Sequence, residues 1–318
     1  MKRIIVTGAS GFIGRHALKT LIAQNYEVHA ITSRAIPERA ENVTWHQVSL
    51  HDQRSTESIF RTLRATHLLH FAWYVEHGLF WTSTENYRWV ATSLHLMKAF
   101  QAYGGERCVM AGTCAEYDWS AGRCDERDTA IAPSTPYGQC KAALKALLDS
   151  FAALTGLSSA WGRIFLLYGP YESRQRLVAS VITDLLLGKV ARCSHGEQLR
   201  DVLHVQDVAD AFVALLSSDV TGPVNIASGN AVAIKTVIRT IADEIGRPEC
   251  LRLGSIPTSP TDPPILTADN LRLRNEVGWK AKFTLETGLR DTINWWRRQI
   301  EPSQEMSPDA KGSVMPGL

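Results

Sequence analysis

Short apolar runs rich in β-branched residues alternate with longer segments of helical periodicity through the first half of the chain. Strands are predicted at RIIVT (3–7), EVHAI (27–31), THLLHFA (66–72), ERCVMAG (106–112) and SSAWGRIFLLYG (158–169). Helices are predicted over 13–24, 85–103 and 137–153. This alternation is typical of right-handed βαβ units and predicts a parallel sheet that is buried on both faces.

The second half of the chain is less regular. Pro- and Gly-rich patches appear at 254–264, and PVNIA (223–227) predicts an element that returns to the sheet. We therefore predict an α/β fold, a doubly wound parallel sheet with a smaller carboxy-terminal substrate lobe. The predicted divisions are a sheet domain at 1–169 with returning elements near 205–232, the lobe at 170–204 and 233–300, and a disordered tail at 301–318.

Composition and charge argue against several classes of protein. The 318 residues are 45% hydrophobic, and a net charge of +2 gives no reason to expect a nucleic-acid or membrane partner. We expect no membrane span, because the apolar stretches are too short, and no signal peptide. Six scattered cysteines without a C-x-x-C pair predict reduced thiols, no metal site and a cytoplasmic location.

The sequence TGASGFIG places three glycines between the first strand and the first helix. The first permits a tight turn, the second lets the backbone approach a pyrophosphate, and the third lets helix and strand pack closely. The helix amino terminus also offers free N–H groups and a positive dipole to phosphates. This Rossmann-type turn supplies the candidate cofactor-binding residues Gly8, Ser10, Gly11, Phe12, Ile13 and Gly14.

The end of the second strand decides which dinucleotide is expected. An acidic residue there binds the ribose 2′-hydroxyl of NAD, whereas an arginine accommodates the 2′-phosphate of NADP. The chain has Ser33 and Arg34 at this point, with Arg39 nearby and no carboxylate at the strand end. NADP(H) is therefore the preferred prediction, with NAD(H) as the alternative.

Thr113, Tyr137 and Lys141 form the candidate catalytic set. Tyr137 and Lys141, in YGQCK, are four residues apart at a helix start and share one helix face. A lysine ammonium beside a phenol is expected to lower the phenol pKa, which makes a tyrosine usable as an acid or base near neutral pH. Thr113 opens TCAEYDW at a strand end, where its hydroxyl would meet a substrate carbonyl or alcohol oxygen.

Taken in order, these motifs resemble the extended short-chain dehydrogenase/reductases of the nucleotide-sugar epimerase/dehydratase group. The G-x-x-G-x-x-G spacing is the variant of that superfamily, and the resemblance runs from Lys2 to about Arg298. Its members most similar in character are reductases of 4-keto nucleotide-sugars, such as CDP-paratose synthase-like enzymes. Further matching motifs are HFAW (70–73), RIFLLYGP (163–170), RDVLHVQDVADA (200–211), AIKTVIRTIADEIG (233–246) and NLRLRNEVGW (270–279).

The resemblance implies further site residues and an oligomer. The additional residues are Leu50, Phe71, Ala72 and Trp73 for the cofactor, and Arg200 for the diphosphate of a nucleotide-sugar. The adenine-contacting Asp of the family is Ser49 here, which leaves Leu50 and Asp52 beside it. A homodimer through the helices at 85–103 and 137–153 is also implied, although their apolar residues fit ordinary core equally well.

Departures from the family pattern narrow the expected reaction. In 4,6-dehydratases an Asp-Glu pair after the catalytic Thr acts as acid and base, and here Cys114 and Ala115 occupy those positions. With Thr113 they are interpreted as substrate-binding residues, Cys114 as a small pocket-lining residue rather than a proton-transfer catalyst. In the lobe, Ser259 stands where a phosphate-clamping Arg is expected.

We therefore predict an NADPH-dependent reductase that converts a 4-keto (6-deoxy) nucleotide-sugar to the 4-hydroxy sugar in surface polysaccharide or glycoside biosynthesis. The alternative is an NAD-dependent nucleotide-sugar 4-epimerase, which would recycle a tightly held cofactor. A non-catalytic dinucleotide sensor has no need of all three catalytic residues. The aromatic insertion WYVEHGLFWTSTENYRW (73–89) fits either a lid over the site or packing between the lobes.

Overall fold

The computed structural model describes residues 2–36 and 42–305. The strands are β1 (Arg3–Thr7), β2 (Glu27–Thr32), β3 (Val43–Gln47), β4 (His67–His70), β5 (Arg107–Thr113), β6 (Arg123–Cys124), β7 (Ser158–Ile164), β8 (Leu166–Tyr168), β9 (Ala191–Arg192), β10 (Leu199–His204), β11 (Gly222–Ile226), β12 (Ala231–Ala233), β13 (Leu251–Arg252) and β14 (Ile265–Ala268). The helices are α1 (Gly14–Ala23), α2 (Gln53–Leu63), α3 (Glu85–Ala102), α4 (Pro136–Thr155), α5 (Leu177–Leu186), α6 (Val205–Ser217), α7 (Ile234–Ile245) and α8 (Leu285–Glu305).

Seven parallel strands form the large sheet, in the order β11-β7-β5-β4-β1-β2-β3. The strand order reverses beside β1, because β2 and β3 extend the sheet on one side and β4 begins the other. In doubly wound sheets a crevice at the carboxyl ends of the strands opens at such a reversal, and ligands bind there. The predicted fold class is therefore confirmed.

Both faces of the large sheet are buried, as the continuous apolar runs require. In β1, Ile4 and Val6 pack in one cluster with α1 and α6, represented by Leu21 and Phe212. Ile5 points to the other face and packs in a second cluster built from α2, α3 and α4. This alternation along a single strand fixes which residues face the helices on each side.

The predicted strand at 158–169 is wrong in one respect, because it is two strands in different sheets. β7 pairs with β5 and β11 in the large sheet, whereas β8 pairs with β10 in the second sheet. Phe165 separates them and is buried in a cluster between the sheets. The local pattern of a single segment does not reveal such a crossing, since it does not show which strand each half pairs with.

The second sheet runs β12-β10-β14-β6, with β8 also paired to β10. An apolar cluster that includes residues of α5, α7 and α8 lies in this part of the chain. The predicted disordered tail begins too early, because helix α8 continues to Glu305. Arg39 and the rest of that tail, 306–318, lie outside the described residues.

Candidate active site at the carboxyl edge of the sheet

The three glycines after β1 bring backbone segments closer together than any side chain allows. Gly8 has a φ of 65°, and a Cβ on it would lie 2.8 Å from the amide nitrogen of Ala72. A Cβ on Gly14 would collide with the carbonyl oxygen of Gly8, and Gly11 donates a 2.9 Å hydrogen bond to that same oxygen. This open cradle at the start of α1 fits a dinucleotide pyrophosphate.

The other residues predicted for the turn line its two sides. Ser10 Oγ lies 2.9 Å from Thr32 Oγ1 at the end of β2, which joins the turn to the next strand. Ile13 packs against the core cluster at the start of α1, and Phe12 is half-buried. Leu50 is buried after β3. Asp52, by contrast, caps α2 by accepting bonds from the amides of Arg54 and Ser55.

Arg15 is a second arginine close to Arg34, where the sequence predicted that Arg34 would bind a 2′-phosphate. Ser33 and Arg34 are exposed, and the amide of Arg34 donates to Thr32 Oγ1. Arg15 donates to the carbonyl oxygens of Ser10 and Gly11, and its guanidinium carbon lies 4.1 Å from the ring centre of Tyr171. Burial lowers the pKa of Arg15, and the positive charge of Arg34 lowers it further. Sequence reasoning missed Arg15, although its place directly after the third glycine was a signal.

Phe71, Ala72 and Trp73 follow β4 and cross over the glycine turn. The Ala72 amide donates a 3.4 Å hydrogen bond to Thr7 Oγ1, and the Phe71 ring meets that of Phe212 edge-on at 4.9 Å. The Trp73 ring lies beneath Lys141, with the ammonium nitrogen 3.7 Å from its centre. Cation and ring attract each other at this distance.

Thr113 and Tyr137 are brought together from different elements. Thr113 ends β5, Tyr137 lies in the first turn of α4, and both are buried. A Cβ at residue 138 would collide with the carbonyl oxygen of Ala115, so Gly138 is what allows α4 to approach the end of β5. Sequence reasoning missed this glycine, which stands next to the tyrosine in YGQCK.

Lys141 lies one turn further along α4 and is also buried. Its ammonium donates a 2.9 Å hydrogen bond to the carbonyl oxygen of Ala111. Burial lowers the pKa of Lys141 to about 7, and the negative charge of Glu116 acts in the opposite direction. The catalytic set predicted from the sequence is therefore assembled around one strand end.

The predicted lowering of the Tyr137 pKa is wrong, because the protein groups around the phenol raise it. Burial raises the pKa of the Tyr137 phenol, and the side chain of Thr113 and the positive charge of Arg176 offset this only in part. The helical spacing gave the shared face of Tyr137 and Lys141, but the sequence could not give the cost of placing a phenolate in a buried site. Arg176, which precedes α5, was not predicted either.

Glu116 is the acidic residue nearest in sequence to Cys114 and Ala115, the positions of the acid and base in dehydratases. Its side chain is buried in the protein. Its carboxylate accepts hydrogen bonds from the Thr113 amide at 2.9 Å, the Trp161 indole at 2.8 Å and the Arg163 guanidinium at 2.8 Å. Both side chains of the Glu116–Arg163 ion pair are almost inaccessible to solvent. Glu116 therefore holds the turn that carries Thr113, and both of its carboxylate oxygens are engaged by these donors.

Cys114 and Ala115, which were expected to line the substrate pocket, are buried. The Cys114 side chain packs in an apolar cluster with Tyr117 and Phe165. Burial raises the pKa of the Cys114 thiol to about 12. A thiol with so high a pKa is a poor proton-transfer group near neutral pH.

Arg200 lies on β10 in the second sheet, whereas Thr113 ends a strand of the large sheet. Its guanidinium forms an ion pair with Asp262 and also donates to the carbonyl oxygen of Pro263 at 2.7 Å. The hydroxyl of Ser259, at the position expected for an arginine, lies 3.0 Å from that of Thr261. The guanidinium predicted to meet a diphosphate is therefore already held by a carboxylate.

Two further observations concern the whole described region. Within residues 2–36 and 42–305, no group of three or more His, Cys, Asp or Glu side chains is placed to hold a metal ion. In the same ranges, no helix combines the length and the apolar character needed to cross a membrane. All six cysteines are free.

Fold and site together define a NAD(P)-dependent enzyme of the extended short-chain dehydrogenase/reductase type. Residues 4–227 match the model of the NAD dependent epimerase/dehydratase family, and the chain belongs to that family.

Characterised relatives span nearly the whole chain. The UDP-glucose 4-epimerase of Corynebacterium glutamicum is 26% identical over 91% of this chain and 94% of the relative. The dTDP-glucose 4,6-dehydratase of Neisseria meningitidis serogroup B is 26% identical over 93% of each chain. The UDP-glucose 4-epimerase of Thermus thermophilus, solved as a complex with NAD, superposes with a TM-score of 0.82 at 27% identity, covering 93% of this chain and 99% of the other.

The Glu116–Arg163 pair generates a prediction about stability. We expect Glu116→Ala to lower the free energy of unfolding by about 3–5 kcal/mol, because it leaves the Arg163 guanidinium buried without its partner. Replacing both residues with leucine should cost less than this single change. Urea unfolding followed by circular dichroism measures both. Removing the exposed Arg290–Glu244 pair is the control, and an equal loss in Glu116→Ala and in the control would contradict the assignment.

Lys141 generates a prediction about pH. Its folded pKa of about 7 lies below the ordinary 10.5, so between these values the unfolded chain binds more protons and stability rises with pH. We expect Lys141→Met to be more stable than the natural protein at pH 7, with the difference shrinking as the pH rises toward 10. Thermal unfolding at both pH values tests this, with exposed Lys98→Met as control. A difference that does not change with pH would refute it.

Proposed function

We propose that the protein is a nucleotide-sugar 4-epimerase that works with a bound NAD. The observation that carries the proposal is the convergence of Thr113, Tyr137 and Lys141 at the carboxyl edge of the sheet, beside the glycine turn. Similarity to UDP-glucose 4-epimerases over most of the chain supports this reading over reduction, which the sequence motifs alone had favoured.

The side chains of the site have separate roles in this reaction. The hydroxyl of Thr113 holds the C4 oxygen of the sugar, and Tyr137 takes the proton of the C4 hydroxyl and later returns it. Lys141, one turn along α4, is the cation assigned to stabilise a phenolate at Tyr137, against the rise in the pKa of the phenol that burial causes. A nicotinamide dinucleotide, when bound in the cradle of Gly8, Gly11 and Gly14, supplies the hydride chemistry at C4.

Dehydration, which the dehydratases among the relatives catalyse, fits this site poorly. Loss of water from the sugar needs an acid and a base next to the catalytic threonine. Cys114 and Ala115 occupy those positions, the Cys114 thiol has a strongly raised pKa, and Glu116 is committed to Arg163. The site therefore retains hydride transfer at C4 without the groups for elimination.

A second candidate is the NADPH-dependent reductase of a 4-keto nucleotide-sugar. One observation favours it: the described residues directly after β2, 33–36, include no carboxylate, and the positive charge of Arg34 acts on Arg15 where a 2′-phosphate would bind. Against it, the matched family is NAD dependent and the Thermus thermophilus relative was solved with NAD.

A homodimer and a cytoplasmic location also belong to the proposal. The dimer would form through α3 and α4, on which Tyr87, Leu147 and Leu154 leave apolar surface exposed. Such surface is commonly covered by a second copy of the chain.

The catalytic assignment predicts the effect of removing one hydroxyl. Tyr137→Phe should lower the rate of C4 epimerisation by about 10²–10⁴-fold, because the proton of the C4 hydroxyl loses its acceptor. The assay follows interconversion of UDP-glucose and its C4 epimer without added reductant. Tyr103→Phe, which removes an exposed phenol bonded to Glu57, is the matched control and should keep full activity. Full activity in Tyr137→Phe would remove the tyrosine from the mechanism.

Cofactor binding separates the two candidate functions. The epimerase is expected to purify with NAD and to show no effect of Arg34→Ala on NAD affinity. Calorimetric titration of the cofactor-free protein with NADH and NADPH, with and without this substitution, provides the test. A clear preference for NADPH that is lost in Arg34→Ala would overturn the epimerase and support the reductase.

A further inference from the structure

The aromatic insertion is held in place by one buried asparagine. Asn86 accepts a 2.9 Å hydrogen bond from the indole of Trp73 and donates to the carbonyl oxygens of Phe80 and Ser83 at 2.7 and 2.8 Å. The segment between Trp73 and α3 is therefore fixed at both ends by a residue with no solvent exposure. Its side chains have defined positions relative to the catalytic set.

Two aromatic rings of this segment surround the catalytic phenol. The ring of Phe80 meets that of Tyr137 edge-on, with centres 4.9 Å apart, and the ring of Trp81 does the same at 5.6 Å. The backbone joins them too, because the Tyr137 amide donates a 3.1 Å hydrogen bond to the carbonyl oxygen of Trp81. Phe80 is buried, whereas Trp81 keeps 36% of its surface exposed.

A second indole stands beside the first. Trp119 donates a 2.8 Å hydrogen bond from its ring nitrogen to the carbonyl oxygen of Cys114, next to Thr113. Its ring is perpendicular to that of Trp81, with centres 6.4 Å apart. One indole is thus fixed to the strand end that carries Thr113, and the other to the helix that carries Tyr137.

Packing alone leaves part of this arrangement unexplained. Val75 and Leu79, in the same segment, are 54% and 56% exposed, so the insertion presents apolar surface instead of covering it. Apolar surface next to a few convergent polar groups is typical of a ligand pocket. In this segment the partly exposed ring of Trp81 contacts Tyr137, and Trp119 is bonded to the residue after Thr113.

We propose that Trp81 and Trp119 form one wall of a sugar subsite that receives the apolar C–H face of a neutral hexopyranosyl group. This inference rests on the proposed function and specifies the part of the substrate that the site selects. One face of a pyranose ring carries mainly C–H bonds, which pack on an aromatic surface, while its hydroxyls remain free to meet Thr113 and Tyr137. The indoles thereby contact the sugar, and other residues bind the nucleotide.

The test compares sugar nucleotides with the same nucleotides lacking the sugar. Calorimetry of the full chain with NAD present measures the affinity for UDP-, dTDP-, GDP- and CDP-glucose and for the four matching nucleoside diphosphates. Trp81→Leu and Trp119→Leu should each weaken binding of the preferred sugar nucleotide about 3- to 10-fold, as expected for loss of an aromatic contact. Affinity for the matching diphosphate should stay within about twofold, since that part of the ligand does not touch the indoles.

Tryptophan fluorescence gives a second readout and a control. Saturation with the preferred sugar nucleotide should change the emission of the natural protein, and Trp81→Phe should reduce that change. Trp45→Phe, on β3 in the large sheet, should leave it intact.

The outcomes separate the two proposals. One outcome is that the sugar adds the same amount to binding affinity in the natural protein, in Trp81→Leu and in Trp119→Leu. That result would overturn the subsite and leave the epimerase proposal unaffected. Binding of none of the sugar nucleotides would overturn the proposed function, and the subsite with it. Should Trp81→Leu fail to fold, Trp81→Phe and Trp119→Leu still decide the question.

Discussion

Three donors converge on the buried carboxylate of Glu116: the amide of Thr113, the indole of Trp161 and the guanidinium of Arg163. A buried carboxylate is tolerable only when its oxygens are satisfied, so this convergence fixes the turn after β5 in one conformation. Thr113, the threonine proposed as catalytic, takes its position from that turn. Lys141 lies close enough for the same negative charge to favour its protonated form.

The same network joins the two sheets. Arg163 also donates to the Tyr117 hydroxyl at 2.9 Å, and Tyr117 donates to the side chain of Asn225 at 2.8 Å on β11. Asn225 then donates to the carbonyl oxygens of Cys124 and Asp269, one in the second sheet and the other directly after β14. A continuous line of hydrogen bonds, most of them buried, therefore runs from the turn after β5 to the second sheet.

Local sequence patterns predicted the features that depend on residues close together in the sequence. The alternation of apolar runs with helical segments predicted the parallel sheet. The glycine spacing predicted the turn after β1, and the four-residue spacing of Tyr137 and Lys141 predicted their shared helix face. The division of 158–169 between two sheets, the inward direction of Glu116 and the raised pKa of Tyr137 depend on residues distant in sequence. Those features are set by tertiary packing and desolvation, which a single sequence does not encode locally.

The distance between α4 and the end of β5 is set by contact between two main-chain segments. Gly138 lets α4 rest almost directly on the carbonyl of Ala115, which brings Tyr137 close to the end of β5. The indole rings of Trp81 and Trp119 are not among the atoms nearest to Gly138. Under the proposed function, substitutions of these rings would change the choice of sugar without altering the main-chain contact that positions Tyr137. Chemistry and specificity would then be separable in such a scaffold.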